Sequence, residues 1–326
     1  AARAHTLERG GLFVPISREG SLVLNNLLLT TACGVVLTGT LYPLALEAVT
    51  GDKISVGAPF FNATFVPLFI PLLLAVPFGQ FLAWKRGDLL GAAQRLYLAM
   101  GLSLAVVLIL YAVRFGGPVL APPAVGLGAW LVFGALADLA ERCGIFRLAP
   151  GVALSRARGL PRAAWGAALA HAGMGLTVIG IAAATAWGSE RIVSMTAGDT
   201  VDLVYEGTSP ATGPNYTQNV SSFALSRGGS ELGQITSARR EYMASRQQTT
   251  EAGIRTFWFG QLYVSVGDRQ PNGGMAVRVY HKPLVTLIWL GTVVMFFGGA
   301  MSLSDRRLRV GAPTRAKRGA SAVPAE

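Results

Sequence analysis

The stretch WGAALAHAGMGLTVIGIAAATAW, residues Trp165–Trp187, contains 23 residues and no formal charge. At about 1.5 Å of helical rise per residue, it is long enough to cross the ~30 Å hydrocarbon core of a bilayer. One ionisable side chain, that of His171, lies within the stretch, roughly 9 Å from its Trp165 end. The sequence therefore predicts a membrane-spanning helix that carries an imidazole.

Small residues share the helical face of His171, namely Ala164, Ala167, Ala168, Ala172 and Gly175. Such a flat face leaves room for a second helix or for a planar cofactor. A polar group at this depth is a functional candidate by default. The helix alone leaves two interpretations open: a histidine that binds a ligand, and a histidine that joins two closely packed helices through a backbone hydrogen bond.

The composition of the whole chain is that of a membrane protein. Of its 326 residues 52% are hydrophobic and 14% are charged, whereas soluble domains carry about 25% charged residues. Cys33 and Cys143 are far apart and form no Cys-x-x-Cys pair, which argues against a disulfide framework or a thiol-redox site. The chain opens Ala-Ala-Arg without a methionine, and the sequence leaves open whether it is a fragment of a longer protein or the product of a naturally split gene.

Six charge-free apolar runs reach or nearly reach spanning length, and we interpret them as transmembrane helices. They are Leu22–Leu46, Phe60–Trp84, Leu96–Val113, Val119–Ala137, Trp165–Trp187 and Pro283–Ser304. Prolines at 67, 71 and 77 predict a kinked second helix inside the bundle, as do prolines 122 and 123 for the fourth. Asn25 and Asn26 are candidate site residues, but hydrogen bonding between helices is the favoured interpretation, because it requires no ligand.

Basic residues alternate with the predicted spans and so predict the orientation. Loops 85–95 and 138–164 and the tail after residue 305 together hold 14 of the 28 arginines and lysines, whereas loops 47–59 and 114–118 hold one cation each, Lys53 and Arg114. The positive-inside rule then places both termini in the cytoplasm, and Cys143 should react with thiol reagents from that side. The net charge of +11 follows from this topology, so we expect no binding to nucleic acid.

Residues 188–281 differ in composition from the rest of the chain, because their apolar segments are rich in β-branched and aromatic residues. They predict an antiparallel β domain on the periplasmic side. The predicted strands are Thr200–Glu206, Ser222–Arg227, Thr256–Val266 and Met275–Tyr280, separated by Gly, Pro, Asn and Ser. Four arginines of this domain, Arg239, Arg240, Arg246 and Arg255, either hold an anionic group such as a propionate or form a solvated face.

The predicted organisation is a polytopic α-helical protein with about six transmembrane helices and one periplasmic β domain before the last of them. Its segments are a cytoplasmic start at 1–21, five helices in 22–187, the β domain at 188–281, a sixth helix at 282–304 and a basic cytoplasmic tail at 305–326. Three histidines in total, His5, His171 and His281, leave little material for hydrolytic chemistry, and no catalytic residue is assigned.

Several phrases occur in an order that resembles one known family. They are FVPISREGSLVLNN, GTLYPL, ISVGAPFFN, HAGMGLTVIG, GPNY, TEAGI, LYVSVGD, YHKPLVTLIWLG and SLSDRR. This series is similar to the C-terminal half of the CcmF/NrfE/CcsA-type family, the membrane subunits of bacterial cytochrome c-type haem lyases, over residues ~10 to ~310. CcmF and its nitrite-reductase assembly paralogue both remain open.

The resemblance implies attachment of haem to apocytochrome c Cys-x-x-Cys-His motifs outside the bacterial inner membrane. It also implies a holo-CcmE haem chaperone and a CcmH-type subunit that presents the apocytochrome. The histidine of the family's His-x-Gly-Met-Gly-like segment falls on His171, and the resemblance implies that this residue is an axial ligand of a buried haem b. His171 then binds the haem iron, and a bis-histidine haem would act as a redox relay.

Three features of the family pattern are absent from this sequence: the tryptophan-rich WxWD segment, its two flanking histidines and the second intramembrane histidine. These belong to the N-terminal half, which is therefore an expected partner and the expected source of the second ligand. This chain alone is not expected to be active as an enzyme. Residues Ile235–Tyr242 also replace a Pro-Glu-Arg/Lys-Arg-x-Tyr pattern, which puts a turn there in doubt. The alternative function is a non-catalytic permease or an assembly scaffold whose β domain docks partners.

Overall fold

The computed structural model describes residues 12, 14–113, 117–195, 203–227, 230–270 and 274–305. The predictions that involve His5, Arg114, the first eleven residues and the tail after residue 305 lie outside these ranges, as does the start of the predicted strand at Thr200–Glu206.

Seven helices occur in the described residues, and six of them are long and apolar enough to cross a membrane. The helices are α1 (Arg18–Thr50), α2 (Ala58–Phe81), α3 (Leu89–Val113), α4 (Ala121–Cys143), α5 (Pro150–Gly159), α6 (Arg162–Ala186) and α7 (Thr286–Leu303). The ten-residue α5 is too short to span and lies between α4 and α6. The chain is therefore a multi-pass membrane protein, as the apolar runs predicted.

The first helix is longer than a bilayer requires. Its 33 residues extend about 50 Å at helical rise, against a hydrocarbon core of ~30 Å. The buried Ser17 begins it by accepting a hydrogen bond from the backbone N–H of Gly20 at 3.0 Å. Gly51, with φ of 77°, ends it in the left-handed conformation that glycine adopts without a steric penalty.

The prolines are placed differently from the sequence prediction. Helix α2 continues through all three of its internal prolines, and Pro67 and Pro71 are exposed on its surface, whereas Pro77 is buried. Pro122 and Pro123 stand in the first turn of α4, where a missing backbone N–H costs no hydrogen bond. The expectation that these prolines lie inside the bundle therefore holds for Pro77 and Pro122, which are buried, and fails for Pro67, Pro71 and Pro123, which are exposed.

Helix α6 lies at the centre of the bundle, between α7 and α4; α4 also packs against α3 and α2, and α2 packs against α1. Glycines at intervals of seven residues bring α6 and α7 into backbone contact. A Cβ added at Gly173 would lie 2.6 Å from the Gly291 oxygen, and one added at Gly298 would lie 2.7 Å from the Gly166 oxygen. Small residues permit this close approach, which membrane helices use in place of a hydrophobic driving force.

The β domain consists of two four-stranded antiparallel sheets. Its strands are β1 (Ser189–Met195), β2 (Leu203–Thr212), β3 (Tyr216–Arg227), β4 (Ser230–Tyr242), β5 (Gln248–Glu251), β6 (Gly253–Phe257), β7 (Gly260–Arg269) and β8 (Met275–Lys282). The sheet orders are β1-β8-β7-β6 and β2-β3-β4-β5. The structure thus has eight strands in the described residues where the sequence predicted four, and Ile235–Tyr242 lies within β4 rather than in a turn.

The core of the β domain lies between the two sheets. Alternate residues of β3, including Phe223 and Leu225, point inward and are buried, which is the period of two expected of a sheet with one covered face. They pack with Val264, Val266 and Val277 from the other sheet. Strands β1 and β8 pair from Ser189↔His281 to Met195↔Met275, directly beyond the ends of α6 and α7.

Candidate functional site

The imidazole of His171 contacts a side chain from another helix. The amide Nε2 of Gln80, in the last turn of α2, lies 3.1 Å from Nδ1 of His171 on α6. A 180° rotation of the Gln80 amide would present its oxygen to Nδ1 instead, so Gln80 is able to bond either tautomer of the imidazole.

His171 lies at one end of a cavity of about 290 Å³ between α1, α2 and α6. Its other lining residues come from the first two helices: Arg18, Ser21, Leu22, Leu24 and Asn25 of α1, and Leu72, Ala75, Val76, Gly79 and Gln80 of α2. The walls are mostly apolar, with a few polar groups that could fix the orientation of a ligand. A Cβ added at Gly79 would lie 3.1 Å from Oγ of Ser21, so the glycine keeps α1 and α2 close together at this level.

A buried acidic residue stands near the histidine. Asp138 of α4 is 5% exposed, and its Oδ2 accepts a hydrogen bond from Nε of Arg142 at 2.7 Å, one turn later on the same helix. Asp138 lies on α4, which packs against α6, the helix that carries His171. Burial of a carboxylate is costly unless it is paired, and Arg142 supplies that partner.

The other residues singled out from the sequence are distributed over the molecule. Asn25 lines the cavity with His171, but its amide donates a hydrogen bond to Oδ1 of the neighbouring Asn26 at 3.3 Å, not to another helix. His281 is exposed on β8. The fifteen residues of α6 that follow His171 extend about 22 Å before the β domain begins, so these two histidines belong to separate parts of the molecule.

Three of the four arginines proposed as an anion site form ion pairs with carboxylates of the β domain. Arg239 pairs with Asp268, Arg240 with Glu251 at 3.3 Å, and Arg246 with Glu241 at 3.7 Å. The guanidinium carbon of Arg255 lies 5.6 Å from the centroid of the Phe257 ring. The described contacts therefore agree with a solvated, charge-paired face rather than with a joint anion site.

The β domain contains a second cavity, of about 430 Å³, between its two sheets. Its walls are largely apolar and come from both sheets, including Val193, Leu225, Phe257 and Val279. The polar residues that line this cavity include Ser189, Arg191 and His281. Ser189 pairs with His281 beside the ends of α6 and α7, so this part of the cavity lies nearest to the helices.

Gln80 and Asp138 were not among the residues that sequence reasoning selected. Gln80 is 91 positions away from its partner, so no local pattern indicates the contact. The available signal was a single amide at the end of an otherwise apolar run, VPFGQF at 76–81. Asp138 was counted with the following basic loop, whereas the structure places it inside α4, which extends to Cys143.

The residues around His171 fit one side of a haem. A haem brings four ligands of its own to the iron, so the protein has to supply axial ligands alone, and one imidazole is sufficient on each face. In the described residues, no group of three or more His, Cys, Asp or Glu side chains could hold a metal ion by itself. Leu22, Leu72 and Val76 offer apolar contacts to a flat ring, and Arg18 offers a positive charge to an anionic substituent.

The chain is similar in sequence to several characterised proteins. Residues 186–283 match the family model described as the CcmF C-terminal beta-sandwich. Over 98% of its length the chain is 57% identical to the cytochrome c-type biogenesis protein CycK of Rhizobium meliloti, strain 1021, of which it covers 48%. It is 38% identical to the cytochrome c-type biogenesis protein CcmF of Pseudomonas aeruginosa, where the match covers 97% of this chain and 48% of that protein.

The fold is also similar to that of a solved structure, Cytochrome c Heme Lyase CcmF, with a TM-score of 0.69 and 22% sequence identity. The match covers 89% of this chain and 46% of the solved chain. The chain thus spans about half the length of the relatives that it matches.

Proposed function

The chain belongs to the CcmF family of cytochrome c-type biogenesis proteins, and we propose that it is part of the haem lyase that attaches haem to the Cys-x-x-Cys-His motifs of apocytochrome c. In this proposal His171 is an axial ligand of a haem b buried in the membrane. The observation that carries the proposal is the contact of Gln80 with Nδ1 of His171, because the amide, turned with its oxygen toward Nδ1–H, would accept from that nitrogen and leave Nε2 for the iron.

Each side chain of the cavity has a defined task in this proposal. With its amide rotated so that Oε1 faces the ring, Gln80 would accept a hydrogen bond from Nδ1–H and fix the plane of the imidazole, as the partners of metal-bound histidines generally do. Leu72 and Val76 would exclude water from one face of the haem. Arg18 would pair its positive charge with a haem propionate. The haem would supply one-electron transfer to the site at which the substrate haem is held.

The second axial ligand and the substrate site are proposed to come from the N-terminal half of the family's length, which this chain does not cover. The open arrangement of the helices supports this, because within the described residues α1 packs substantially against α2 alone. The cavity beside His171 therefore lies where further helices have room to complete it. Holo-CcmE, a CcmH-type subunit and apocytochrome c are the proposed further partners.

The proposed location is the bacterial inner membrane, with both termini in the cytoplasm and the β domain in the periplasm. Basic residues support this orientation. Lys85 and Arg86 follow α2, and Arg156, Arg158 and Arg162 lie on or after α5, on the side of the bundle opposite the β domain.

An absorption spectrum tests the proposal. The chain should be co-expressed with the polypeptide that supplies the remaining half of the family's length, and the purified complex should show the reduced spectrum of a low-spin b-type haem. His171→Gly should lose this spectrum and regain it with added imidazole, which fills the space left by the ring. His281→Gly serves as the matched control and should keep the spectrum.

A colourless complex, or a His171→Gly complex with an unchanged low-spin spectrum in the absence of imidazole, would contradict the proposal. The first result would favour the second candidate function, a permease or assembly scaffold without catalytic activity. The observation that favours this candidate is the apolar cavity of the β domain, which could receive a side chain of a partner protein.

A further inference from the structure

The length of α7 determines how close the β domain lies to the membrane. Its 18 residues extend about 27 Å, slightly less than the ~30 Å hydrocarbon core, so neither end of the helix can project far from the bilayer. Its first residue, Thr286, therefore lies at the boundary between hydrocarbon and headgroups.

The turn between β6 and β7 is bound to this boundary. The backbone N–H of Thr286 donates a hydrogen bond to the Phe259 carbonyl at 3.2 Å, and the Thr286 hydroxyl donates to the same oxygen. The turn consists of Trp258 and Phe259, because Phe257 pairs with Gly260 across the hairpin. The hydrogen bonds thus hold both aromatic residues at the level of the membrane surface.

Trp258 is 92% exposed, which is more than any of the other five tryptophans, and Phe259 is exposed beside it. Two adjacent aromatic rings in water would be an unfavourable arrangement. Tryptophan is, however, enriched at the headgroup level of bilayers, where its ring meets an apolar and a polar environment together. The exposure is therefore explained if the turn contacts lipid rather than water.

The backbone of the turn supports the same conclusion. Trp258 has φ of 51°, in the left-handed region that a bulky residue rarely adopts. Two-residue hairpin loops favour Gly, Asn or Asp at such a position. A tryptophan at this position lowers the stability of the hairpin, so an interaction of the ring outside the hairpin is needed to explain its presence.

We infer that the Trp258–Phe259 turn inserts into the headgroup region of the bilayer and anchors the β domain against the membrane. Lys282 lies at the same end of the sheet, opposite Gln261 on β7, and its long side chain can place its charge among the headgroups near the anchor. The inference depends on the membrane-spanning character of α7 and on the turn geometry, and it is independent of haem binding.

Tryptophan fluorescence of the full chain in phospholipid vesicles tests the anchor. The emission of Trp258→Phe is subtracted from that of the unchanged chain, so that the difference reports Trp258 alone. We expect blue-shifted difference emission that is quenched at least twofold by phosphatidylcholine brominated near the start of its acyl chains. Difference emission at the wavelength of water-exposed tryptophan, without quenching by brominated lipid, would overturn the inference.

A second variant separates the anchor from a structural role of Trp258 in the hairpin. Glycine suits the positive φ, so Trp258→Gly should leave the hydrogen-exchange protection of the β6 and β7 amides unchanged or higher. A tenfold or larger loss of this protection would mean that the tryptophan holds the hairpin together, and it would also overturn the inference.

Discussion

The Gln80 amide and the His171 ring, 91 positions apart in sequence, meet at 3.1 Å across the gap between α2 and α6. A hydrogen bond to Nδ1 determines which ring nitrogen remains for another partner. Gln80 is therefore a positioning residue in the proposed haem site, because it acts on the iron through the imidazole. This role makes its replacement informative.

We expect Gln80→Leu to weaken haem binding by the co-expressed complex by about 10–100-fold, the usual effect of removing the hydrogen-bond partner of a metal ligand. Gln80→Glu should retain the low-spin spectrum and lower the midpoint potential, because a carboxylate makes the imidazole more electron-rich. Spectroscopic titration with haem and a redox titration measure the two effects. Gln94→Leu, at an exposed position of α3, is the control and should change neither. Unchanged affinity and potential in both Gln80 variants would exclude a positioning role.

The glycine contacts between α6 and α7 predict opposite effects at two neighbouring positions. A Cβ at Gly298 would lie 2.6 Å from the Ala170 nitrogen, whereas a Cβ at Gly299 meets nothing within 4 Å. Gly298→Ala should therefore destabilise the helix pair by about 1–3 kcal/mol through overpacking. Gly299→Ala should be neutral or stabilise by up to ~1 kcal/mol, because alanine has the higher helix propensity. Unfolding of the purified protein in mixed detergent measures both, and equal stabilities would contradict the packing.

The β domain should fold without the helices, because its core is formed between its own two sheets. We expect a fragment of residues 189–282 to give a circular dichroism spectrum dominated by β structure. In this fragment Phe223→Ala should cost about 3–5 kcal/mol of the free energy of unfolding, because the ring is fully buried. Thr217→Ala, at an exposed position of the same strand, should change it by less than ~0.5 kcal/mol. A predominantly helical spectrum would contradict the prediction.

The proposed orientation is best tested at two exposed positions. Cys143, which the sequence recommends as a reporter, is 3% exposed and would react poorly from either side. In a chain with both native cysteines replaced by alanine, Gln270→Cys should react with an impermeant maleimide in cells whose outer membrane has been permeabilised. Phe146→Cys, in the loop between α4 and α5, should react after disruption of the inner membrane. The reverse pattern would invert the topology.

The membrane helices could be predicted because span length and composition are local properties of the sequence. The first predicted run began within one turn of α1, and His171 stood out because no other ionisable residue lies in its run. The strands were harder to predict. The β1 sequence SERIVSM and the β4 sequence SELGQITSARREY are rich in polar residues, and β8, the partner of β1, is distant in sequence. Pairing of Ser189 with His281 is a property of the fold that no window of sequence contains.

The glycine contacts of α6 with α7 also have a mechanical consequence. Backbones that touch leave no layer of side chains able to shear, so the two helices transmit force as one stiff rod. This rod continues, after two residues on one side and three on the other, into the paired strands β1 and β8. A movement of the β domain relative to the bundle would therefore have to move α6, which carries His171, together with α7. The β domain and the histidine are in this sense mechanically coupled.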